Sequence, residues 1–162
     1  MYDARVIADY AFWMWDEITS VSLPDSIITI GQSAFNDTGI YDITIGSNVR
    51  FIGSSAFGLC RNLNQVTIIS KVVERIGEYA FEYCGGFTGD LVIPAGVTTI
   101  GKYAFNSCSS IRGNLIVPEE LYQLDDNGIY QLLDSISKKT HFVENICAEG
   151  VKNRHLYSVI EE

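Results

Sequence analysis

Ile30-Gly31-Gln32-Ser33-Ala34-Phe35 returns down the chain as Ile52-Gly53-Ser54-Ser55-Ala56-Phe57, Ile76-Gly77-Glu78-Tyr79-Ala80-Phe81 and Ile100-Gly101-Lys102-Tyr103-Ala104-Phe105. An earlier copy, Ile7-Ala8-Asp9-Tyr10-Ala11-Phe12, carries Ala where the others carry Gly. The phenylalanines stand 23, 22, 24 and 24 residues apart. A fixed period of this length marks a solenoid, in which each unit is one coil of chain that cannot bury its apolar face alone.

The rest of each unit keeps the same step. An aliphatic residue precedes the repeated Ile by three at Ile27, Val49, Val73 and Val97. Three residues after Phe stand Trp15, Thr38, Cys60, Cys84 and Cys108, and a large apolar residue follows at Ile18, Ile40, Leu63, Phe87 and Ile111. Short alternating segments come next: Val21-Ser22-Leu23, Ile43-Thr44-Ile45, Val66-Thr67-Ile68, Leu91-Val92-Ile93 and Leu115-Ile116-Val117. They read as strands whose first and third residues point inward and whose second points out. Pro24, Pro94 and Pro118 follow directly, where a missing N–H ends a ladder cheaply. Ala before Phe suits a tight inward turn, and Gly after Ile suits either a positive φ or a close backbone approach. The small length differences, near residues 69–72, 87–91 and 111–115, are expected in loops.

The run Leu91-Val92-Ile93-Pro94-Ala95-Gly96-Val97-Thr98-Thr99-Ile100-Gly101-Lys102-Tyr103-Ala104-Phe105-Asn106-Ser107-Cys108 resembles the BspA-like, or Treponema-type, class of leucine-rich repeats, and the likeness covers residues 4–124. The expected fold is a right-handed leucine-rich repeat solenoid of short parallel strands and short helical turns, about five repeats of 22–24 residues plus a C-terminal cap. Residues 1–124 would form the solenoid, with an aromatic N-terminal coil, and 125–162 an acidic capping segment with a short helix. The resemblance implies protein binding, since the family includes bacterial surface proteins that adhere to host matrix proteins or other cells.

The ends of a solenoid need sealing. Phe12, Trp13, Met14, Trp15 and Ile18 make a front coil whose rings either close the open core or form an exposed aromatic patch. At the back, Leu121 and Leu124 hold the register of a sixth unit before Asp125-Asp126-Asn127-Gly128 breaks it. Ile129, Leu132, Leu133 and Ile136 have helical spacing, and residues 140–143 and 155–160 read as short strands.

An apolar content of 47% predicts a folded chain, and the formal charge is −9. Residues 1–118 carry 7 basic and 11 acidic side chains, and residues 119–162 carry 4 and 9, so the excess is densest in the tail. Such a field repels nucleic-acid phosphates and anionic membranes and favours a basic partner. No run nears the roughly 18 apolar residues of a membrane span. The first residues hold no basic stretch followed by an apolar core and cleavage site, so the expectation is a cell-surface or secreted location if a leader precedes them and a cytoplasmic one otherwise.

Signs of chemistry are sparse. Cys60, Cys84 and Cys108 share a column, and stacking about 5 Å apart would bring thiols near disulfide reach. The column also accepts Trp15 and Thr38, so small buried hydrophobes are expected. Cys147 stands isolated in the tail. His141, Cys147 and His155 have spacings that match no ligand motif, and Asp125–Gly128 lacks the alternating ligands of a calcium loop. Neither phosphate-cradling glycine motif nor nucleophile elbow occurs. No enzyme activity, cofactor or metal is expected. Asn36-Asp37-Thr38 is a glycosylation sequon.

Function is therefore expected on the outer walls, as a non-enzymatic protein–protein interaction module. The first candidate face is the strand columns Ser20, Asp42, Gln65, Asp90, Asn114 and Ser22, Thr44, Thr67, Val92, Ile116. The second is the tyrosine column Tyr10, Tyr79 and Tyr103 with Tyr83 and Phe51 close by, which serves either an interface or coil-edge packing. Two alternatives accompany adhesion: an intracellular acidic binder or inhibitor that covers a basic surface of another protein, such as a nucleic-acid site, and a structural segment of a longer repeat protein.

Overall fold

The computed structural model describes residues 3–68, 71–86, 88 and 91–108 together with 115–116 and 146–147; of 65, 67, 68, 115–116 and 146–147 it describes the backbone alone. Each coil contributes two short strands to separate parallel ladders. One ladder holds β1 (Val6–Ile7), β3 (Thr29–Ile30), β5 (Phe51–Ile52), β7 (Arg75–Ile76) and β9 (Thr99–Ile100) in that order. The expected strands form the others. β2 (Ser20–Ser22), β4 (Asp42–Ile45) and β6 (Gln65–Ile68) make one sheet, and β8 (Leu91–Val92), β10 (Leu115–Ile116) and β11 (Ile146–Cys147) make another. Ser20, Asp42 and Gln65 pair in register, as do Ile7, Ile30, Ile52, Ile76 and Ile100. This is a solenoid of stacked coils.

The core is the set of columns read from the sequence. Ile30, Ile52, Ile76 and Ile100 are buried with Ala34, Ala56, Ala80 and Ala104. The rings of Phe12, Phe35, Phe57, Phe81 and Phe105 stack in one file, with centroids 5.0, 5.4, 5.2 and 5.3 Å apart and planes within 12°. That spacing is close to the distance between neighbouring strands, so the backbone ladder sets the ring stack. Cys60, Cys84 and Cys108 are buried thiols without disulfides. Their Sγ atoms lie 3.1, 3.2 and 3.1 Å from the carbonyl oxygens of Phe35, Phe57 and Phe81, each in the coil before. Thr38 fills the same column and donates its hydroxyl to the Phe35 carbonyl at 2.9 Å. From the second coil on, the column holds a small residue that carries a donor, Thr38 bonding within its own coil and each Cys reaching the coil before; in the first coil Trp15 takes the place.

The wall between the two strands of a coil differs from expectation. The repeat predicts short helical turns, but no helix occurs among the described residues; Asp9–Met14 and its equivalents are successive turns. Two columns take left-handed backbone: Tyr10, Ser33, Ser55, Tyr79 and Tyr103 with φ of 51–59°, and Met14, Asp37, Leu59, Tyr83 and Ser107 with φ of 55–62°. Left-handed φ costs an L-residue about 1–2 kcal/mol. Here it aims each N–H along the stack. Ser33 donates to Ser54, Ser55 to Glu78 and Tyr79 to Lys102 at 2.8–3.0 Å. Asp37, Leu59 and Tyr83 donate in the same way to Gly58, Glu82 and Asn106 at 2.7–2.9 Å. A helix would direct these N–H groups within its own turn and leave successive coils unjoined.

The repeated glycine resolves between its two sequence readings. No positive φ occurs at Gly31, Gly53, Gly77 or Gly101. A Cβ built on Gly53 would lie 2.6 Å from the Gly31 carbonyl carbon, so close approach is the reason for glycine.

At the front, Phe12 and Ile18 are half-buried against the core and Trp15 stacks on Phe12 at 6.0 Å. Trp13 and Met14 remain 53% and 57% exposed. The seal is therefore one ring deep, and the exposed-patch reading fits its outer members. At the back, Cys147 sits on β11 beside Ile116, so its isolation in the sequence does not extend to the fold. The expected helix at 129–136, the strands at 140–143 and 155–160, and nearly all of the capping segment lie outside the described residues, as do most of the length-variation loops.

Candidate functional site

Strand alternation places the first candidate face. Ile43 and Ile45 point into the core, which turns Asp42 and Thr44 outward as half-buried residues beside exposed Ser20 and Ser22. Val92 is 51% exposed between buried Leu91 and Ile93. Gln65 and Thr67 continue the register through the backbone of β6, and Ile116 does so through β10. The side chains of these three, and Asp90 and Asn114 altogether, lie outside the described residues. Tyr41, directly before β4, is 53% exposed, and neither outward column contains it. Its signal in the sequence is its place beside Asp42.

The second candidate face divides. Tyr79 and Tyr103 are neighbours with ring centroids 5.5 Å apart, and the Lys102 Nζ lies 4.8 Å from the Tyr103 ring centre. Tyr10 is three coils away, where Gln32 donates to its hydroxyl at 2.8 Å; Ser33, in the same column, is buried, and Ser55 is half-buried. Tyr83 belongs to the second left-handed column. Phe51 sits on β5, with the Arg50 guanidinium 5.4 Å from its ring centre.

The five-stranded sheet presents a third wall, which the sequence pattern does not announce. Its outward column is Val6, Thr29, Phe51, Arg75 and Thr99, interleaved with the buried isoleucines. Beside it runs an open groove of about 610 Å³ lined by Arg5, Ile28, Asn48, Arg50, Val72 and Glu74 among others. Arg50 binds Glu74 through its Nε at 3.0 Å, an exposed pair that ties two coils. Asp25, at the groove's rim, accepts hydrogen bonds from the Ser47 hydroxyl and N–H at 2.7 and 2.9 Å, which hold its carboxyl below the usual value. The groove is open, and its lining carries charges of both signs.

The sequon is occupied by the fold. Thr38 is buried, its hydroxyl is committed to Phe35, and the Asn36 amide donates to the Ser55 carbonyl at 3.3 Å. Burial pushes the Cys60 thiol up, and Cys84 well up, so neither offers a ready nucleophile.

The BspA type leucine rich repeat region matches residues 5–137 in six copies. The chain belongs to this BspA-type leucine-rich repeat family. The match reaches one unit beyond the five counted from the Ile-Gly-x-x-Ala-Phe phrase. Among solved structures, a leucine rich cell surface protein from Faecalibacterium prausnitzii A2-165 is similar at 21% identity and TM-score 0.67, covering 91% of this chain and 36% of that one. The T. pallidum leucine rich repeat protein is similar at 21% identity and TM-score 0.53, covering 72% and 64% of the respective chains. The BspA-type chain thus spans less than two thirds of the length of either neighbour. No curated protein matches it.

Proposed function

We propose that this BspA-type solenoid is a non-enzymatic protein-binding module whose partner lies across the sheet of β2, β4 and β6. The observation that carries the reading is the division of that sheet. Ile43 and Ile45 are wholly buried, while Ser20, Ser22, Asp42 and Thr44 face out beside exposed Tyr41. Consecutive strands hold these groups at fixed spacing, so little side-chain and backbone freedom is lost when a partner settles on them. The aromatic Tyr41 supplies the large rigid contact that carries binding energy in such interfaces. Attachment to a protein outside the cell is the finer reading, supported by the description of the F. prausnitzii neighbour as a cell surface protein.

The test is capture by the immobilised chain from a panel of matrix proteins and cell extracts. Tyr41→Ala with Asp42→Lys should weaken capture at least about tenfold without changing the melting temperature. Undiminished capture by that variant would remove this sheet from consideration.

A further inference from the structure

The wall of β1, β3, β5, β7 and β9 gathers positive charge on a chain whose formal charge is −9. Of the six basic side chains among the described residues, only Arg61 and Lys102 stand elsewhere. Arg5 and Arg50 line the groove, Lys71 adjoins the lining residue Val72, and Arg75 faces out from β7. The carboxylates of the groove are Asp3, Asp25 and Glu74. Two of these are engaged, Asp25 by Ser47 and Glu74 by Arg50. No described carboxylate pairs with Arg5 or Arg75, and both arginines are exposed.

Apolar surface lies among these charges. Phe51 is 37% exposed, carries the Arg50 guanidinium 5.4 Å from its ring centre, and pairs in register with Arg75 on the next strand. Val6 and Val72 are exposed as well, and Ile28 is half-buried. Arginine and aromatic side chains carry much of the binding energy at protein interfaces, and a guanidinium grips a carboxylate through two parallel hydrogen bonds.

The spacing selects the occupant. Arg5 and Arg75 belong to coils three steps apart, roughly 14 Å at about 4.8 Å per step. An extended peptide advances about 3.3 Å per residue, so carboxylates four positions apart, on one face, cover about 13 Å. The side chain midway between them falls over the strip from Ile28 to Phe51. A dense polyanion fits poorly, because it would set its charges against Asp3, Asp25 and the field of the whole chain. Separated carboxylates are read locally, since screening shortens to about 8 Å at physiological salt.

We infer that this wall is a second docking face, separate from the sheet of β2, β4 and β6, and that its ligand is an acidic peptide segment of another protein. That segment carries carboxylates four residues apart with an aromatic or aliphatic residue midway between them.

The test titrates a blocked peptide containing Glu-Thr-Phe-Thr-Glu into the isotope-labelled full chain while amide shifts are followed. Saturable shifts centred on Arg5, Phe51 and Arg75 are expected. Replacing both glutamates with glutamine should weaken binding at least about tenfold. Arg5→Glu with Arg75→Glu should do the same at an unchanged melting temperature, and Arg5→Gln with Arg75→Gln should weaken binding less but in the same direction. Tyr41→Ala with Asp42→Lys should bind the peptide as the parent does. Equal affinity for the glutamine peptide would overturn the inference, as would shifts centred elsewhere or no binding at all. So would heparin, a sulfated polysaccharide, binding this wall more tightly than the peptide at physiological salt.

Discussion

At the scale of single residues, the phenylalanine file is where stability is concentrated. Phe57 is fully buried between Phe35 and Phe81, with no room to relax because its neighbours are fixed by the ladders. Phe57→Ala should cost about 3–5 kcal/mol in urea unfolding. The thiol column yields a pH prediction. Burial raises Cys60 and Cys84 in the folded state, so the unfolded chain loses these protons first as pH rises. Their contribution is therefore whole below about 8.5, the ordinary thiol value, and is lost above it. Thermal melting should be flat on this account from pH 7 to 8 and fall above about pH 9. Cys60→Thr, which places in the third coil the residue that Thr38 supplies in the second, should remove part of that fall. Native-state labelling with a thiol reagent at neutral pH should leave Cys60 and Cys84 unmodified.

At the scale of elements, the turn wall makes a prediction that burial alone would miss. Ser55 has φ of 53°, where a β-branched side chain is strained and glycine is not. Ser55→Val should cost about 1–3 kcal/mol, while Ser55→Gly should stay within about 0.5 kcal/mol of the parent. Gly53→Ala, two residues earlier, should instead be destabilising by about 1–3 kcal/mol or more through collision with Gly31. These elements also show what a sequence discloses. The core columns were legible because one residue type recurs at each: Ile, Ala, Phe. The strands bearing Asp42 and Thr44 were legible because alternation survives in three or four residues. The five-stranded sheet was not, since its strands are two residues long and its outward column, from Val6 through Phe51 to Arg75, shares no chemistry. The left-handed columns were hidden because tyrosine, serine and leucine occupy them in place of glycine or asparagine. The sequence shows Ser33 and Ser55 standing between Tyr10 and Tyr79 in this column, but not that Ser33 is buried and Ser55 half-buried, which leaves Tyr79 and Tyr103 as a pair.

At the scale of the whole molecule, the charge of −9 separates the ways a partner could be held. A basic partner drawn by that field should dissociate progressively faster between low and physiological ionic strength, as screening shortens to about 8 Å. A partner seated on Tyr41 and Val92 should show little change over the same range. Titrating salt in the capture experiment therefore distinguishes an acidic decoy from an adhesive surface.

The turn wall has an electrical consequence. In each coil three peptide units, those whose N–H groups belong to Tyr10, Phe12 and Met14 or their equivalents, lie parallel to the stack and to one another. Strand peptides alternate and largely cancel, so these rows add from coil to coil much as the units of an α-helix do. The solenoid is thus polarised from end to end, its leading rim rich in oxygen and electronegative, and cations near Asp9 are favoured there for the same reason that they gather at the last turn of a helix.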